Sequence, residues 1–243
     1  MNSKLSPIGL LSTLLFASTC ASGGATTIPE ARPEAHLDGT GGEEILPRRT
    51  CASSGRLAAP ADGMIADFSG TDPGSGAPGR IATLLPPAPK QASALTHEAS
   101  GGNLTIGVNA VPGAKPQVLV TTLLFDSCLD ASGFAGVQFN LSGSLSGCAL
   151  NYASVDVEHQ YYRAGGPYPP QKRLSPADLT PQPQTIKAPF LKPDDPGNPA
   201  VPTDPSKLLF VQWLVMVPVG SHDGSPVPPC TGSITVDDVK LYR

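Results

Sequence analysis

From Met64 to Tyr242, hydrophobic residues recur with a period of two in short stretches separated by turn residues. Successive side chains of a strand point to opposite faces, so each stretch has a greasy side and a wet side. Asn103–Val108 alternates Leu104, Ile106 and Val108 against Thr105 and Gly107, and Gly136–Leu141 sets Val137, Phe139 and Leu141 opposite Gln138 and Asn140. Ala149–Tyr161 sets Ala153, Val155 and Val157 opposite Tyr152, Ser154, Asp156 and Glu158. Met64–Phe68, Gln117–Phe125 and Thr185–Phe190 read as further strands, and so does Ser233–Tyr242, where Ile234, Val236 and Val239–Leu241 frame Asp237–Asp238. Leu208–Val217 is apolar on both faces, which predicts a strand central to its sheet. Many short strands with turn signals between them predict an all-β, antiparallel β-sandwich over residues 61–243.

The rest of the chain has no such period. Residues 21–60 are rich in Gly, Ala, Pro, Thr and Glu and predict a disordered, flexible N-terminal tether. Its r.m.s. reach is on the order of 35 Å, at about 5–6 Å times the square root of length. Two long Pro-rich loops, Ala164–Pro183 and Leu191–Ser206, interrupt the strand pattern; loops of that length tend to carry function or to stay unstructured. At the start, Lys4 precedes an apolar run, Ile8–Ala17, that is too short to span a bilayer and ends in small residues before Cys20. Residues 1–20 therefore read as a signal peptide. Cys20 followed by Ala21-Ser22-Gly23-Gly24 resembles the bacterial lipoprotein signal. That resemblance implies lipidation of Cys20, a membrane lipid anchor and an outer-membrane or cell-surface location; ordinary cleavage would leave a secreted protein.

Composition narrows the function classes. The 243 residues include 26 Gly and 28 Pro, which disfavours an all-helical enzyme. A net charge of −4 without a basic cluster excludes nucleic acid as a partner, since phosphate binding needs concentrated Lys and Arg. Of five cysteines, removing Cys20 leaves four, the even number expected of disulfides in an oxidising compartment. Cys128 and Cys148 flank the Gly136–Leu141 strand, and closing that loop would stabilise by about 3 kcal/mol. Cys51 and Cys230 then pair by elimination, although four cysteines admit three connectivities.

Catalytic motifs are missing. Gly74-Ser75-Gly76-Ala77-Pro78-Gly79 runs into Pro86, Pro87 and Pro89 where a phosphate-binding helix would begin, so it reads as a loop. His36, His97, His159 and His222 are scattered, no Cys-x-x-Cys occurs, and no Gly-x-Ser-x-Gly elbow is present. Asp156 and Glu158 lie two apart on one strand, whereas glycoside hydrolysis needs carboxylates across a cleft. The expectation is a protein that is not an enzyme.

Four segments, taken in order, resemble the galactose-binding-like jelly roll, the fold of many carbohydrate-binding modules. They are Phe134-Ala135-Gly136-Val137-Gln138-Phe139-Asn140-Leu141, Pro189-Phe190, Leu209-Phe210-Val211-Gln212-Trp213 and Ile234-Thr235-Val236-Asp237-Asp238-Val239-Lys240-Leu241-Tyr242. The resemblance spans roughly Ala61 to Arg243. It implies a structural Ca²⁺ held by Asp67 and Asp237 with backbone carbonyls. It also implies a sugar-binding face, for which strand alternation supplies Gln138, Asn140, Tyr152, Asp156, Glu158 and Gln212. Tyr161, Tyr162 and Tyr168, in or before the first Pro-rich loop, form an alternative aromatic platform. Trp213 alternates in phase with Val211 and Val215 and reads as core. The expected function is a non-catalytic, extracytoplasmic, carbohydrate-binding-like module with a polysaccharide or cell-surface glycan as partner. The alternative is a structural or protein-interaction lipoprotein of the cell envelope.

Overall fold

A computed structural model describes residues 50–51, 55–69, 81–160, 169–190, 201–221 and 225–243. The signal segment, Cys20, Gly74–Gly79, Tyr161, Tyr162 and Tyr168 lie outside the described residues. The strands are β1 (Leu57–Ala58), β2 (Met64–Ala66), β3 (Ala82–Leu84), β4 (Leu95–Ser100), β5 (Asn103–Ala110) and β6 (Gln117–Asp130). They continue as β7 (Gly136–Ser146), β8 (Ala149–Asp156), β9 (Gln171–Leu174), β10 (Gln184–Pro189), β11 (Leu208–Val217) and β12 (Cys230–Tyr242).

These strands form two sheets. The first has the order β1-β6-β11-β8-β9 with β3 also on β6; the second has the order β10-β7-β12-β5-β4 with β2 also on β12. From β5 onward the chain crosses between sheets at every step except β8 to β9, so β6-β11-β8-β9 faces β5-β12-β7-β10. That wiring is a jelly roll. All pairings are antiparallel except the short β1–β6 contact.

Leu208–Val217 does lie at the centre of its sheet, as β11, between β6 and β8. Its alternate residues feed two separate apolar clusters. Val211, Trp213, Val215 and Val217 join the inter-sheet core, while Phe210 and Leu214 join a second cluster on the other face. Trp213 sits in the core as expected, with Thr121 and Tyr152 as its cross-strand neighbours. Phe139 reaches across from the second sheet, with its ring centroid 4.9 Å from Tyr152 and 5.5 Å from Trp213. Tilted and edge-on contacts of this kind add about 0.5–1.5 kcal/mol beyond area burial.

Two glycines let β7 and β12 close on each other. A Cβ at Gly143 would stand 2.3 Å from the Ser233 carbonyl oxygen, and one at Gly232 would stand 2.2 Å from that of Ser144. Both also take positive φ, +116° and +135°, which side chains disfavour.

The disulfides differ from the expected pairing: Cys51 bonds Cys128, and Cys148 bonds Cys230. Cys128 lies near the end of β6, before the turn into β7, and Cys148 lies just past the far end of β7. The 11 residues of β7 separate the two cysteines by about 35 Å at roughly 3.3 Å per residue. A disulfide requires Cα atoms closer than about 7 Å. The observed pairs meet it, with Cα–Cα distances of 5.5 Å and 5.2 Å. Within the expected linker, Leu57–Ala58 pairs with β6, the Ser127 hydroxyl donates to the Gly55 carbonyl and Cys51 is bonded to Cys128, so these residues belong to the sandwich. Each bond closes a loop of about 80 residues, worth about 4.5 kcal/mol in the chain-entropy description. Peptide mapping without reductant should recover Cys51–Cys128 and Cys148–Cys230 peptides, and Cys148→Ser with Cys230→Ser should lower Tm markedly. A Cys128–Cys148 peptide would contradict this architecture.

Candidate functional site

The two sheets present different outer faces. On the first sheet, Leu124, Ala153, Val155, Phe210 and Leu214 form an apolar, buried outer cluster. The second sheet carries polar residues at its outward positions. Across β7, β12, β5 and β4 one row reads Ser142, Thr235, Thr105 and Glu98, and the next reads Ser144, Ser233, Gly107 and Thr96. A third row places Ser146, Thr231 and Asn109 side by side. Most of these groups are uncharged and offer both donors and acceptors.

One end of this face is more elaborate. A register shift in β12 between Asp237 and Lys240 puts Asp238 at φ 50° and realigns the strand on β7. The Asn140 amide donates to Asp238 Oδ2 at 3.2 Å, and the Thr185 hydroxyl donates to Asn140 Oδ1 at 2.9 Å. Beyond the shift, Gln138 lies between Lys187 of β10 and Lys240 of β12. Next in line is Gly136, where a Cβ would meet Tyr242 Cε1 at 2.8 Å. The bare glycine thus lets the Tyr242 ring lie across β7, and the Lys187 ammonium sits 5.0 Å from that ring's centroid. The constellation is two amides, a hydroxyl, a carboxylate, two ammoniums and one ring on an open surface.

The residues expected to share a ligand face are divided among several places. Gln138 and Asn140 lie on the second sheet's outer face. Tyr152 is a correction: it faces the inter-sheet core, where burial drives its phenol pKa upward and its hydroxyl contacts Ser154 at 3.0 Å. The expected phase of β8 is inverted because both faces of its sheet are covered. The large ring fills the inter-sheet space beside Phe139, and the small Ala153 and Val155 occupy the outer cluster. Gln212 is also buried, its amide donating to the Thr122 hydroxyl at 3.1 Å. Glu158 is exposed in the turn after β8, a strand of the first sheet, whereas Gln138 and Asn140 belong to the second. Thr185, Lys187, Asp238 and Tyr242 were not among the expected site residues. The alternation of Thr185 and Lys187 with Ile186 and Ala188 was a usable signal, but the β12 register shift had none.

Asp156 is buried and engaged as a structural knot. Its Oδ1 accepts from the backbone N–H groups of Glu158 and His159 at 2.9 and 3.0 Å, and lies 2.6 Å from His159 Nδ1. Its Oδ2 accepts from the Asp204 N–H at 2.5 Å, which ties the chain before β11 to the end of β8. Near this knot is a cavity of about 10 Å³ lined in part by Tyr152, Ser154, Lys172 and Thr203. It has room for about one water and none for a sugar ring.

Asp67 and Asp237 are brought near each other. Burial, and then the negative charges of Asp238 and Asp67, raise the Asp237 pKa against a lowering hydrogen bond from the Asp238 N–H. Asp67 is held low by the N–H and hydroxyl of Ser69, at 3.0 and 2.9 Å. Two carboxylates suit a hard cation in donor type. Among the described residues no group of three or more His, Cys, Asp or Glu could hold a metal, so backbone oxygens would have to complete the shell.

No family model matches the chain, and no curated protein matches it. Among solved structures it is similar to the family 11 carbohydrate-binding module from Clostridium thermocellum in complex with a beta-1,3-1,4-mixed-linked tetrasaccharide. The identity is 15% and the TM-score 0.41, over 74% of this chain and 94% of that one. It is also similar to the family 11 module of a cellulosomal cellulase of Clostridium thermocellum, at 14% identity and TM-score 0.39, over 74% of this chain and 92% of that one. A third likeness is to an exo-beta-agarase, at 11% identity and TM-score 0.40, over 74% of this chain and 24% of that one.

The Asp156 knot has a pH signature. Burial raises its pKa, but the hydrogen bonds from His159 and Asp204 outweigh this and leave it lowered. A folded value below the unfolded one stabilises fully above the unfolded pKa, about 3.9, and the stabilisation is lost as pH falls through the folded value. Asp156→Asn should therefore lower stability at pH 7 by about 1–3 kcal/mol, and the gap to wild type in urea unfolding should narrow in strong acid. A gap independent of pH would contradict this role.

Proposed function

We propose that this chain is a non-catalytic, extracytoplasmic binding module that holds a polysaccharide chain against the outer face of its second sheet. In this reading acylated Cys20 anchors it to the cell envelope, and residues 21 to about 50 tether the sandwich to the membrane. The observation that carries the proposal is the contrast between the two outer faces. One is an apolar cluster already buried, and the other displays rows of Ser, Thr, Asn and Gln ending beside an aromatic ring. Sugars present hydroxyl groups that act as both donors and acceptors, and amides and hydroxyls match them without the cost of desolvating charge. The site is open, as binding to the middle of a long chain requires. The two disulfides suit an oxidising compartment. The Asp156 carboxylate, committed to the Asp204, Glu158 and His159 contacts, is not available for acid–base work.

Affinity gel electrophoresis in neutral and acidic polysaccharides tests this reading. Retardation should appear with at least one glycan and should weaken in Gln138→Ala/Asn140→Ala. Each lost neutral hydrogen bond is worth about 0.5–1.5 kcal/mol, so the double variant should bind about tenfold more weakly. Uniform silence across glycans, with a folded protein, would favour the structural or protein-interaction lipoprotein instead.

Calcium belongs to the same proposal. Asp67 and Asp237, with backbone carbonyls, would hold one Ca²⁺ that pins β2 to β12 and relieves the repulsion between the carboxylates. A ligand at a hundredfold excess over its Kd stabilises by about 2.7 kcal/mol. Tm should rise by several degrees in millimolar calcium, fall with chelator, and lose its calcium response in Asp237→Asn. An unchanged Tm would remove the metal from the proposal.

A further inference from the structure

The polar face is not uniform in charge. At its elaborate end Lys187, Gln138 and Lys240 occupy one row across three neighbouring strands. Strands lie about 4.8 Å apart, so the two lysine Cα atoms stand about 10 Å apart with an amide between them. Positions 138, 187 and 240 alternate with the buried Val137 and Phe139, Ile186 and Ala188, and Val239 and Leu241, so all three side chains point outward. Neither ammonium forms an ion pair among the described residues. Lys187 is instead held over the Tyr242 ring, 5.0 Å from its centroid, and that ring is fixed in turn by lying across Gly136. The nearby carboxylates keep their charge but are not paired with either lysine: Asp238 accepts from the Asn140 amide at 3.2 Å, and Asp237 accepts from the Asp238 N–H at 2.6 Å. On a chain of net charge −4, these are two outward cations on one row, neither ion-paired among the described residues.

We propose that this row gives the module a preference for acidic polysaccharides: an anionic substituent, carboxylate or sulfate, seats between Lys187 and Lys240 with the Gln138 amide donating between them. The inference rests on the polysaccharide reading and adds the ligand's charge to it. The Asn140 and Thr185 groups, one row along, meet the hydroxyls of the same or the adjoining sugar. Exposed ammoniums in water attract an anion weakly one at a time. Two of them with a fixed amide donor make a charge-assisted site whose strength falls with salt.

The experiment compares retention of the full chain on four probes without added calcium: polygalacturonate, its methyl ester, a sulfated galactan and unsulfated agarose. Wild type should bind polygalacturonate at least about tenfold more tightly than the methyl ester, which corresponds to about 1.4 kcal/mol. That preference should shrink as salt rises from 50 to about 500 mM. Lys187→Gln/Lys240→Gln, with an unchanged Tm, should bind the acidic and neutral chains alike. Preference for the sulfated galactan over agarose, without preference for polygalacturonate, would assign the anion as sulfate; the reverse would assign it as carboxylate. Equal retention of neutral and acidic probes by wild type would overturn this inference and leave the polysaccharide reading standing. An acidic preference that survives the double substitution would overturn it too. Absence of binding to all four would overturn both.

Discussion

The structure depends on the way the first sheet is buried from both sides. β11 is apolar on both faces, so it can sit only where protein covers it above and below. Its inward residues meet Phe139 and Tyr152 around Trp213, and its outward residues meet Leu124, Ala153 and Val155. Burying a large aromatic side chain gives gross transfer free energy on the order of 4–6 kcal/mol, from about 150–250 Å² at roughly 25 cal/mol per Å². Three such rings in mutual contact fix how the sheets face each other. Among the described residues, that leaves the outer face of the second sheet as the broad polar sheet surface, so packing on one side of the molecule locates chemistry on the other.

Local pattern revealed much of this fold. The strict alternation in Asn103–Val108 and Gly136–Leu141 marked β5 and β7, and an apolar run broken only by Gln212 marked β11. In β5 and β7 burial follows the period of two, and in β11 nearly every position is buried. β4 was not expected, because its inward residues are Leu95 and the small Ala99 with His97 between them, a weak signal for a strand. β9 was hidden within a Pro-rich stretch and has four residues. The phase of β8 was assigned to the wrong faces because Tyr152 was treated as an outward polar residue. In a sheet covered on both sides, ring size rather than polarity decides which row faces the larger space.

The candidate site was legible only in part, for a related reason. Gln138 and Asn140 were readable because they alternate with Val137, Phe139 and Leu141 on one strand. Their partners arrive from β10 and β12, far away in sequence, and the pairing depends on a register shift at Asp237–Lys240. Neither that shift nor the positive φ of Asp238 follows from composition. The role of Tyr242 follows from Gly136, whose missing side chain makes room for the ring only after β7 and β12 are paired. The disulfides were misassigned on the same account. Closeness along the chain suggested Cys128 with Cys148, yet a whole strand holds them apart, while sheet pairing brings Cys148 to Cys230.

The central claim is that ligand is held on the outer face of the β10-β7-β12-β5-β4 sheet. Backbone amide chemical shifts followed by NMR during titration with oligosaccharides from a retained polysaccharide test it most directly. The account predicts saturable shifts centred on Gln138, Asn140, Thr185, Thr235 and Lys240, with little change at Ala153, Val155 and Leu214 on the other sheet. Shifts confined to the loops at the sandwich ends, or centred on the first sheet, would contradict it.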